Sequence, residues 1–392
     1  MFEYRGFMLD SVRHMQSIEE IKKLIDAVSA LGLSKFHWHL TDDQGWRFES
    51  ERFPELNTLA AVRPYSDFGK TYEEGPYGRV YTKDEMREIV AYCAERGIDV
   101  IPELDMPGHT SALLSAFPSL SCMGKEVEIK THQGIFKDVL CLAKEETYNV
   151  VTAIIDEFLE VFPGEYIHIG GDEAPHDHWK KCPECQRYMK EHGIETYAGY
   201  QSSFMNRIID YLESRNRHCI VWNEAANGRN LDKRAVIQYW KENPEPTVNF
   251  LNEGGKAIFS PFSYCYFDYD YNITPLNRTY SLKADLRGLT DEGRRNIIGF
   301  EGNIWTEYIT RDEQLEKLVF PRLIAVSKLA LGENDKPYKD FIADVQRIRK
   351  KLNGIAFEDE KSWTKPRIST VYGWLKFVKD HYTKEFIKEQ LL

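Results

Sequence analysis

The chain has 392 residues, of which 42% are hydrophobic and 29% are charged, so it can bury a large core and is not expected to be disordered. Its formal net charge is −11 at pH 7. That charge argues against nucleic acid or an anionic membrane as a partner, because both require a basic surface.

Short apolar runs alternate with helical periodicity along the chain. The runs predict strands near residues 7–10, 35–42, 98–105, 166–172, 219–224, 235–240, 256–262 and 296–305. Helices are predicted over 17–32, which begins at Ser17 and stops at Gly32, over 82–97, and over 311–332. This alternation predicts an α/β fold, a (β/α)8 TIM barrel over residues 1–332. Residues 333–392 are predicted to form a C-terminal helical segment packed on the barrel.

The predicted strands end in residues that can carry chemistry. Their C-terminal ends are "MLDSVRH", "HWHLTDD", "IPELDMPGH", "HIGGDE", "VWNE", "IQYW" and "NIWTE". Loops are polar in general, but Asp, His, Glu and Trp at nearly every strand end are not what a purely structural role predicts. In a TIM barrel these ends meet at the face that holds the active site, so we expect a site there.

Asp172 and Glu173 are adjacent acids at the end of the fourth predicted strand. One interpretation is structural, since Asp often caps the helix that follows a strand. Gly170 and Gly171 favour a functional interpretation, because two glycines at a strand end allow a sharp turn or a close approach to a ligand.

Two patterns raise the possibility of a metal. In "HWH", His37 and His39 share one face of a strand. If Asp42 points into the barrel, the alternation of the strand turns both imidazoles outward, and packing is then the favoured interpretation. "CPEC" (182–185) has the spacing of zinc ligands, but no second pair completes a tetrahedral set. We therefore predict neither a metal nor a cofactor.

The N-terminus has no basic start followed by an apolar stretch, so no signal peptide is predicted. No apolar run is long enough for a membrane span, and no membrane partner is expected. Seven scattered cysteines favour reduced thiols. These features predict a cytoplasmic protein if Met1 is the native start, and a secreted or periplasmic one if the chain has been trimmed.

Taken together, the motifs resemble those of one family. "RGFMLDSVRH", "KFHWHLTDDQGWR", "IPELDMPGH", "HIGGDEA", "VWNE" and "NIWTE" occur in the order and spacing of family 20 glycoside hydrolases. Over residues 5–330 the chain is similar to the catalytic barrel of a β-N-acetylhexosaminidase. The resemblance implies a retaining exo-enzyme that releases terminal β-linked N-acetylglucosamine or N-acetylgalactosamine. Its nucleophile would be the substrate's own acetamido oxygen, which forms an oxazolinium ion.

The resemblance also implies roles for individual residues. Glu173 would be the general acid and base, with a pKa raised by the neighbouring charge, and Asp172 would orient the acetamido group. Asp42 and His109 match the pair that supports the acid, although His109 alone could be an ordinary loop histidine. The expected substrate-binding residues are Trp222, Trp240 and Trp305 around the acetamido methyl, Tyr266 on its oxygen, and Arg13, Asp268 and Glu307 on the sugar hydroxyls. Arg13 could instead form a structural ion pair.

The expected partners are glycans or oligosaccharides that contain N-acetylhexosamine, and the oligomeric state stays open. The sequence has three alternative interpretations: an enzyme that releases a disaccharide, as a lacto-N-biosidase does; a metal-dependent barrel hydrolase; and a sugar-binding barrel without catalysis. The intact Asp172–Glu173 pair argues against the last. Members of the family commonly carry an α/β domain before the barrel, whereas here the barrel is predicted to begin about five residues after Met1.

Overall fold

A computed structural model describes residues 1–365 except 70 and 242, together with residues 375, 376, 378 and 379. Within this part of the chain, eight parallel strands form a closed barrel in which each strand pairs with the next and the eighth pairs with the first. The strands are Tyr4–Asp10, Lys35–His39, Asp99–Glu103, Tyr166–His168, His218–Trp222, Val236–Tyr239, Lys256–Phe259 and Ile297–Ile304. The predicted (β/α)8 barrel is confirmed.

The helices surround this barrel and fill the segments between its strands. The α-helices are Ile18–Ala30, Lys83–Ala94, Ser111–Ala116, Glu145–Val161, Asp177–Lys181, Pro183–Glu191, Tyr197–Ser214, Glu245–Asn252, Phe262–Cys265, Leu276–Tyr280, Asp291–Arg295, Asp312–Val319, Arg322–Leu331, Tyr338–Arg349 and Glu360–Trp363. Short 3-10 helices are formed by Pro54–Asn57, Pro118–Leu120 and Asn223–Ala226. None of the described helices is both long enough and apolar enough to cross a membrane.

Helix boundaries follow from local side-chain chemistry. The Ser17 side chain accepts a hydrogen bond from the Glu20 backbone N–H, and Thr82 forms a reciprocal capping box with Glu85. The helix predicted over 311–332 is instead two helices, interrupted at Phe320 and Pro321. Pro321 has no backbone N–H to donate to a preceding turn, so the first helix cannot continue through it.

The barrel interior is apolar at its N-terminal end and ionic above that level. Tyr4, Ile101, Ile220, Val236 and Ile258 pack together as a separate buried cluster. The next level contains buried charged and polar side chains that reach across the barrel: His37, Glu103, His168, Gln238 and Glu301. The interior thus changes from apolar side chains to buried charged and polar side chains towards the end that carries the site.

The predicted outward orientation of His37 and His39 is wrong. His37 contacts Glu103 and Glu301, and His39 contacts Glu103, all inside the barrel. The prediction assumed one strand from residue 35 to residue 42, but the barrel strand ends at His39. Asp42 belongs to a separate two-stranded hairpin with Gly45–Trp46, so its direction does not follow the alternation of the strand.

The segment after the barrel packs on it as far as the structure describes it. The Phe341 ring stacks on Tyr280 with centroids 3.9 Å apart, and the Trp363 ring is buried. Most of residues 366–392 lie outside the described part of the chain. The division into a barrel over 1–332 and a helical segment over 333–392 stays a prediction.

Candidate active site

A cavity of about 310 Å³ opens where the barrel strands end. All of the predicted site residues line it except Trp222. Its walls are formed by Arg13, Asp42, His109, Gln133, Gly134, Ile135, Asp172, Glu173, Trp240, Tyr266, Asp268, Tyr269, Trp305, Glu307 and Tyr308. Side chains from seven of the eight strand ends or the loops after them therefore meet in one place.

The turn that carries Asp172 and Glu173 depends on two glycines. Gly170 and Gly171 have φ angles of +68° and +108°, a conformation that L residues rarely adopt. A Cβ on Gly170 would lie 1.7 Å from Asp105 Oδ1, so a side chain has no space there. The glycines let the chain turn directly against the third strand's loop and place the two acids in the cavity.

Two of the site residues have strained backbones. Glu173 has a φ of +43° and His109 a φ of +53°, and neither is a glycine. Only four described non-glycine residues have positive φ. Such conformations cost about 1–3 kcal/mol each and persist where the surroundings fix them. Their coincidence with two predicted catalytic positions indicates that the fold holds these side chains in a required arrangement.

His109 links the acidic pair to Asp42. Its Nδ1 lies 3.1 Å from Asp42 Oδ1 and 3.2 Å from Asp43 Oδ2. Its Nε2 lies 3.7 Å from both Asp172 Oδ2 and Glu173 Oε2. Burial lowers the pKa of His109, but the carboxylates of Asp42 and Asp172 raise it well above the usual value. The imidazole is therefore held as a cation between two sets of acids.

Asp42 is held as a carboxylate despite its burial. Burial raises its pKa, but Arg13 and His109 more than offset this and bring the pKa well below its usual range. Arg13 Nη2 lies 2.7 Å from Asp42 Oδ2, and His39 Nε2 lies 2.9 Å from the same oxygen. Arg13 is thus in an ion pair and also lines the cavity, so both of its predicted roles are compatible with its position.

The predicted rise in the pKa of Glu173 is wrong. Burial is the largest influence on both groups, and it raises the pKa of Asp172 to about 8. For Glu173, His109 and Lys241 oppose burial and lower the pKa below the usual value. The prediction considered only the repulsion between neighbours in the chain. It omitted the two cations that contact Glu173.

Lys241 and Glu224 were missed as members of the site. Lys241 Nζ lies 3.6 Å from Glu173 Oε1 and 3.1 Å from Glu224 Oε1. The Trp240 indole N–H also donates to Glu224, at 2.8 Å. Glu224 ends the "VWNE" motif and Lys241 follows "IQYW", so their places at strand ends were the available signal.

Aromatic side chains form one wall of the cavity. The Trp240 and Tyr266 rings are stacked with centroids 5.8 Å apart, and the Tyr266 and Trp305 centroids are 6.1 Å apart. Trp222 lies behind this wall, fully buried, with its centroid 6.0 Å from that of Trp305. Its indole N–H donates to Glu103 Oε1 at 2.7 Å, which joins the wall to the ionic interior of the barrel.

Two further residues that line the cavity, Asp268 and Glu307, are acidic. Asp268 is buried and its Oδ1 has no hydrogen-bond partner among the described residues. Burial, followed by the charge of Glu307, raises the pKa of Asp268 to about 8. Glu307 Oε1 lies 4.0 Å from Arg13 Nη1. A ligand that donates hydroxyl hydrogen bonds would satisfy these oxygens.

Five groups of described side chains are close enough to share a metal ion, and three of them lie at or beside the cavity, combining Asp42, Asp43, Asp105, His109, Asp172 and His39. His37, Glu103 and His168 are close enough to share an ion, but these side chains already pair with one another inside the barrel. The thiols of Cys122, Cys141, Cys182 and Cys185 also lie within 4.8 Å of one another. The prediction that Cys182 and Cys185 lack further cysteine partners is therefore wrong. No second closely spaced pair occurs in the sequence, but the fold brings Cys122 and Cys141 beside them.

Comparison with known proteins agrees with this geometry. The profile of glycosyl hydrolase family 20, catalytic domain, matches residues 2–331. The chain belongs to this family. It is 34% identical over 359 residues to a β-hexosaminidase of Porphyromonas gingivalis, covering 88% of this chain and 45% of that protein. It is 28% identical over 341 residues to the human β-hexosaminidase subunit beta, covering 85% and 57%.

Solved structures of the family superpose on the barrel. The Flavobacterium johnsoniae chitobiase matches with a TM-score of 0.79 and 31% identity, over 90% of this chain and 52% of that one. An exo-β-N-acetylglucosaminidase of Vibrio harveyi, solved in complex with N-acetylglucosamine, matches with a TM-score of 0.79 and 28% identity, over 91% and 59%. The chain spans about half the length of the β-hexosaminidases from Porphyromonas gingivalis and Vibrio furnissii that it matches.

Proposed function

We propose that this family 20 chain hydrolyses terminal β-linked N-acetylglucosamine or N-acetylgalactosamine from glycans, with retention of configuration. The observation that carries the proposal is the placement of Asp172 and Glu173. They are adjacent in the chain, line one cavity, and lie at the same distance, 3.7 Å, from His109 Nε2. Retaining enzymes with their own nucleophile place two carboxyl groups on opposite sides of the scissile bond, about 5–5.5 Å apart.

In this mechanism the nucleophile comes from the substrate. The acetamido carbonyl oxygen attacks C1 while the bond from C1 to the leaving oxygen breaks, and Glu173 gives its proton to that oxygen. Asp172 accepts a hydrogen bond from the acetamido N–H and offsets the positive charge that develops on the nitrogen. The Glu173 carboxylate then takes a proton from water as the water oxygen bonds to C1, which opens the oxazolinium ring and restores the acetamido group.

The reaction requires a proton on Glu173 and a charge on Asp172, whereas the surroundings in this structure raise the pKa of Asp172 and lower that of Glu173. Binding of the sugar reverses these two pKa shifts. The acetamido N–H stabilises the Asp172 carboxylate and lowers its pKa, while the leaving group excludes water from Glu173 and raises its pKa. His109 Nε2 lies 3.7 Å from both groups, so it is placed to relay the proton between them.

The cavity walls favour an N-acetylated sugar as substrate. The rings of Trp240, Tyr266 and Trp305 offer apolar faces to the acetamido methyl, and the Tyr266 hydroxyl can donate to its carbonyl oxygen. Arg13, Asp268 and Glu307 line the same cavity and are suited to the sugar hydroxyls. The N-acetylglucosamine bound by the Vibrio harveyi enzyme supports the same assignment here.

The proposal is tested with a panel of aryl glycosides. We expect hydrolysis of the N-acetyl-β-glucosaminide or the N-acetyl-β-galactosaminide, little turnover of the β-glucoside with hydroxyl at C2, and a β-anomer as the first product by NMR. A lacto-N-bioside in the same panel tests for disaccharide release. Equal rates on the acetamido and hydroxyl substrates, or inversion at C1, would refute the proposal.

A further inference from the structure

Four of the seven cysteines form a compact cluster away from the sugar cavity. Cys122 Sγ lies 3.6 Å from Cys185 Sγ, Cys141 Sγ lies 3.6 Å from Cys185 Sγ, and Cys141 Sγ lies 3.9 Å from Cys182 Sγ. Four thiolates around a tetrahedral zinc ion, at Zn–S distances of about 2.3 Å, are about 3.8 Å apart. The cluster therefore already has the dimensions of a four-cysteine zinc site.

The sulfur separations do not match covalent pairing. A disulfide joins two sulfurs at about 2.05 Å, whereas the cluster members are all free cysteines at 3.6 Å or more. Cys141 contacts two partners at similar distances, which a pairwise bond does not require. Cys182 and Cys185 have the two-residue spacing that zinc sites commonly use.

The surroundings suit bound thiolates. Cys141, Cys182 and Cys185 are buried and Cys122 is partly exposed, so three ligands are shielded and one edge faces solvent. The Ala143 backbone N–H lies near the Cys141 sulfur, and the buried Tyr200 hydroxyl lies near Cys185. That hydroxyl has no nitrogen or oxygen partner among the described residues, and a zinc-bound thiolate would accept its hydrogen bond.

We propose that these four cysteines bind one structural zinc ion. All four positions are occupied by protein ligands, which is the pattern of structural rather than catalytic zinc. Binding replaces the four thiol protons by the metal, and the centre carries a net charge of minus two. The zinc takes no part in glycoside hydrolysis.

The position of the site assigns it a role in organising the cavity. Cys122 and Cys141 bracket residues 123–140, and Gln133, Gly134 and Ile135 of that loop line the sugar cavity. The other two ligands stand at the start of the helix Pro183–Glu191, in the segment that follows Asp172 and Glu173. Zinc would therefore fasten the base of the 123–140 loop to the segment that carries the catalytic pair.

Metal analysis of the purified full chain tests the proposal. We expect about one zinc per chain by plasma mass spectrometry after exhaustive desalting, and native mass spectrometry should show the chain plus one zinc. Cys182→Ala together with Cys185→Ala should abolish binding. The matched control is Cys93→Ala together with Cys265→Ala, since both are buried cysteines outside the cluster, and it should retain the metal.

The wild-type measurements decide the question even if the double variant does not fold. A metal-free chain with all thiols titratable, a chain carrying two disulfides, or stoichiometric iron with visible absorption would overturn the proposal. Retention of zinc by the Cys182 and Cys185 variant would also overturn it. Activity on the aryl glycosides is measured separately, so a failure of the glycosidase proposal is distinguishable from a failure of the zinc site.

Discussion

Two cations determine the ionisation of Glu173. His109 and Lys241 contact its carboxylate from different sides, and their charges outweigh the effect of burial on its pKa. Lys241 is itself only half-buried and also contacts Glu224. A general acid must keep its proton at the working pH, so under the proposed function Lys241 would limit how far into the alkaline range the reaction proceeds.

Removing Lys241 should shift the pH profile upward. In Lys241→Met the Glu173 carboxylate loses a neighbouring positive charge, so its pKa rises and its protonated form persists to higher pH. The basic limb of the kcat profile on an N-acetyl-β-glucosaminide, which reports the complex with substrate, should move to higher pH, by about half a unit to one unit. Lys233→Met, which removes a surface lysine paired with Glu253, should leave the profile unchanged. An unmoved basic limb in Lys241→Met would mean that Glu173 is not the acid.

Glu173→Gln should affect substrates according to their leaving groups. General acid catalysis is typically worth about 10²–10⁴ in rate, and it matters least when the leaving group is already a stable anion. We expect a loss of that order in kcat on alkyl glycosides and a much smaller one on dinitrophenyl glycosides. The exposed Glu191 provides the control variant Glu191→Gln, which should retain full activity. Equal losses on both substrates would contradict the assignment.

At the scale of elements, the turn after the fourth strand has no space for a side chain at Gly170. Gly170 and Gly97 have nearly the same φ, +68° and +66°, but only Gly170 is crowded. A Cβ on Gly97 would meet no atom within 4 Å, whereas one on Gly170 would lie 1.7 Å from Asp105 Oδ1 and 2.8 Å from the Met106 backbone nitrogen.

The two glycines therefore allow a matched experiment. Gly97→Ala should lower the free energy of unfolding by about 1–2 kcal/mol, the cost of a left-handed conformation for alanine, and leave kcat unchanged. Gly170→Ala should cost more stability and reduce kcat at least tenfold, because the turn must move Asp172 and Glu173. Urea unfolding and steady-state kinetics measure both effects. Equal behaviour of the two variants would show that the packing against Asp105 does not position the pair.

The sequence predicted the elements better than the contacts between them. All eight strands lie where apolar runs were found, but most of the predicted C-terminal ends were too long, because the polar residues that follow belong to loops. The same error produced the wrong orientation of His37 and His39. The spacing of a motif cannot show that a strand ends and a hairpin begins within three residues.

The remaining errors have a common physical cause. The low pKa of Glu173 depends on Lys241, which comes from a different strand end, and the cysteine cluster combines Cys122 and Cys141 with a distant pair. These groups meet only because the barrel brings its loops together. The family resemblance identified ten residues that line the cavity and one, Trp222, that lies behind it, but not the charges that set their protonation.

At the scale of the whole molecule, the barrel concentrates buried charge at one end. His37, His39 and Glu103 are fully buried and mutually paired, whereas Asp172 has its Oδ1 unpaired among the described residues. An unpaired buried carboxyl favours the protonated form and makes folding depend on pH.

The raised pKa of Asp172 makes the free energy of unfolding depend on pH. Its pKa is raised to about 8 in the folded chain, so its contribution to stability is fully present below the unfolded value near 4 and is lost as the pH rises through 8. Asp172→Asn should therefore be more stable than the wild type at pH 9, by on the order of 1 kcal/mol or more, with a smaller difference at pH 5. Urea unfolding at both pH values tests this. Asp210→Asn, at an exposed surface position, should show no such change with pH.

If the four-cysteine site holds zinc, removal of the metal lowers thermal stability and loosens the 123–140 loop. A loss of activity with EDTA therefore does not by itself identify a catalytic metal. The origin of the nucleophile has to be measured on the reaction itself.

The most direct test of the account uses substrates fluorinated on the acetamido methyl. Fluorine withdraws electrons from the carbonyl oxygen, so kcat should fall steeply and in order through the mono-, di- and trifluoroacetamido analogues if that oxygen attacks C1. Because fluorine also enlarges the group that contacts the Trp240, Tyr266 and Trp305 rings, KM is followed separately from kcat. A kcat that does not change along the series, or a sugar trapped covalently on a protein carboxylate, would show that the nucleophile belongs to the enzyme and would contradict the account.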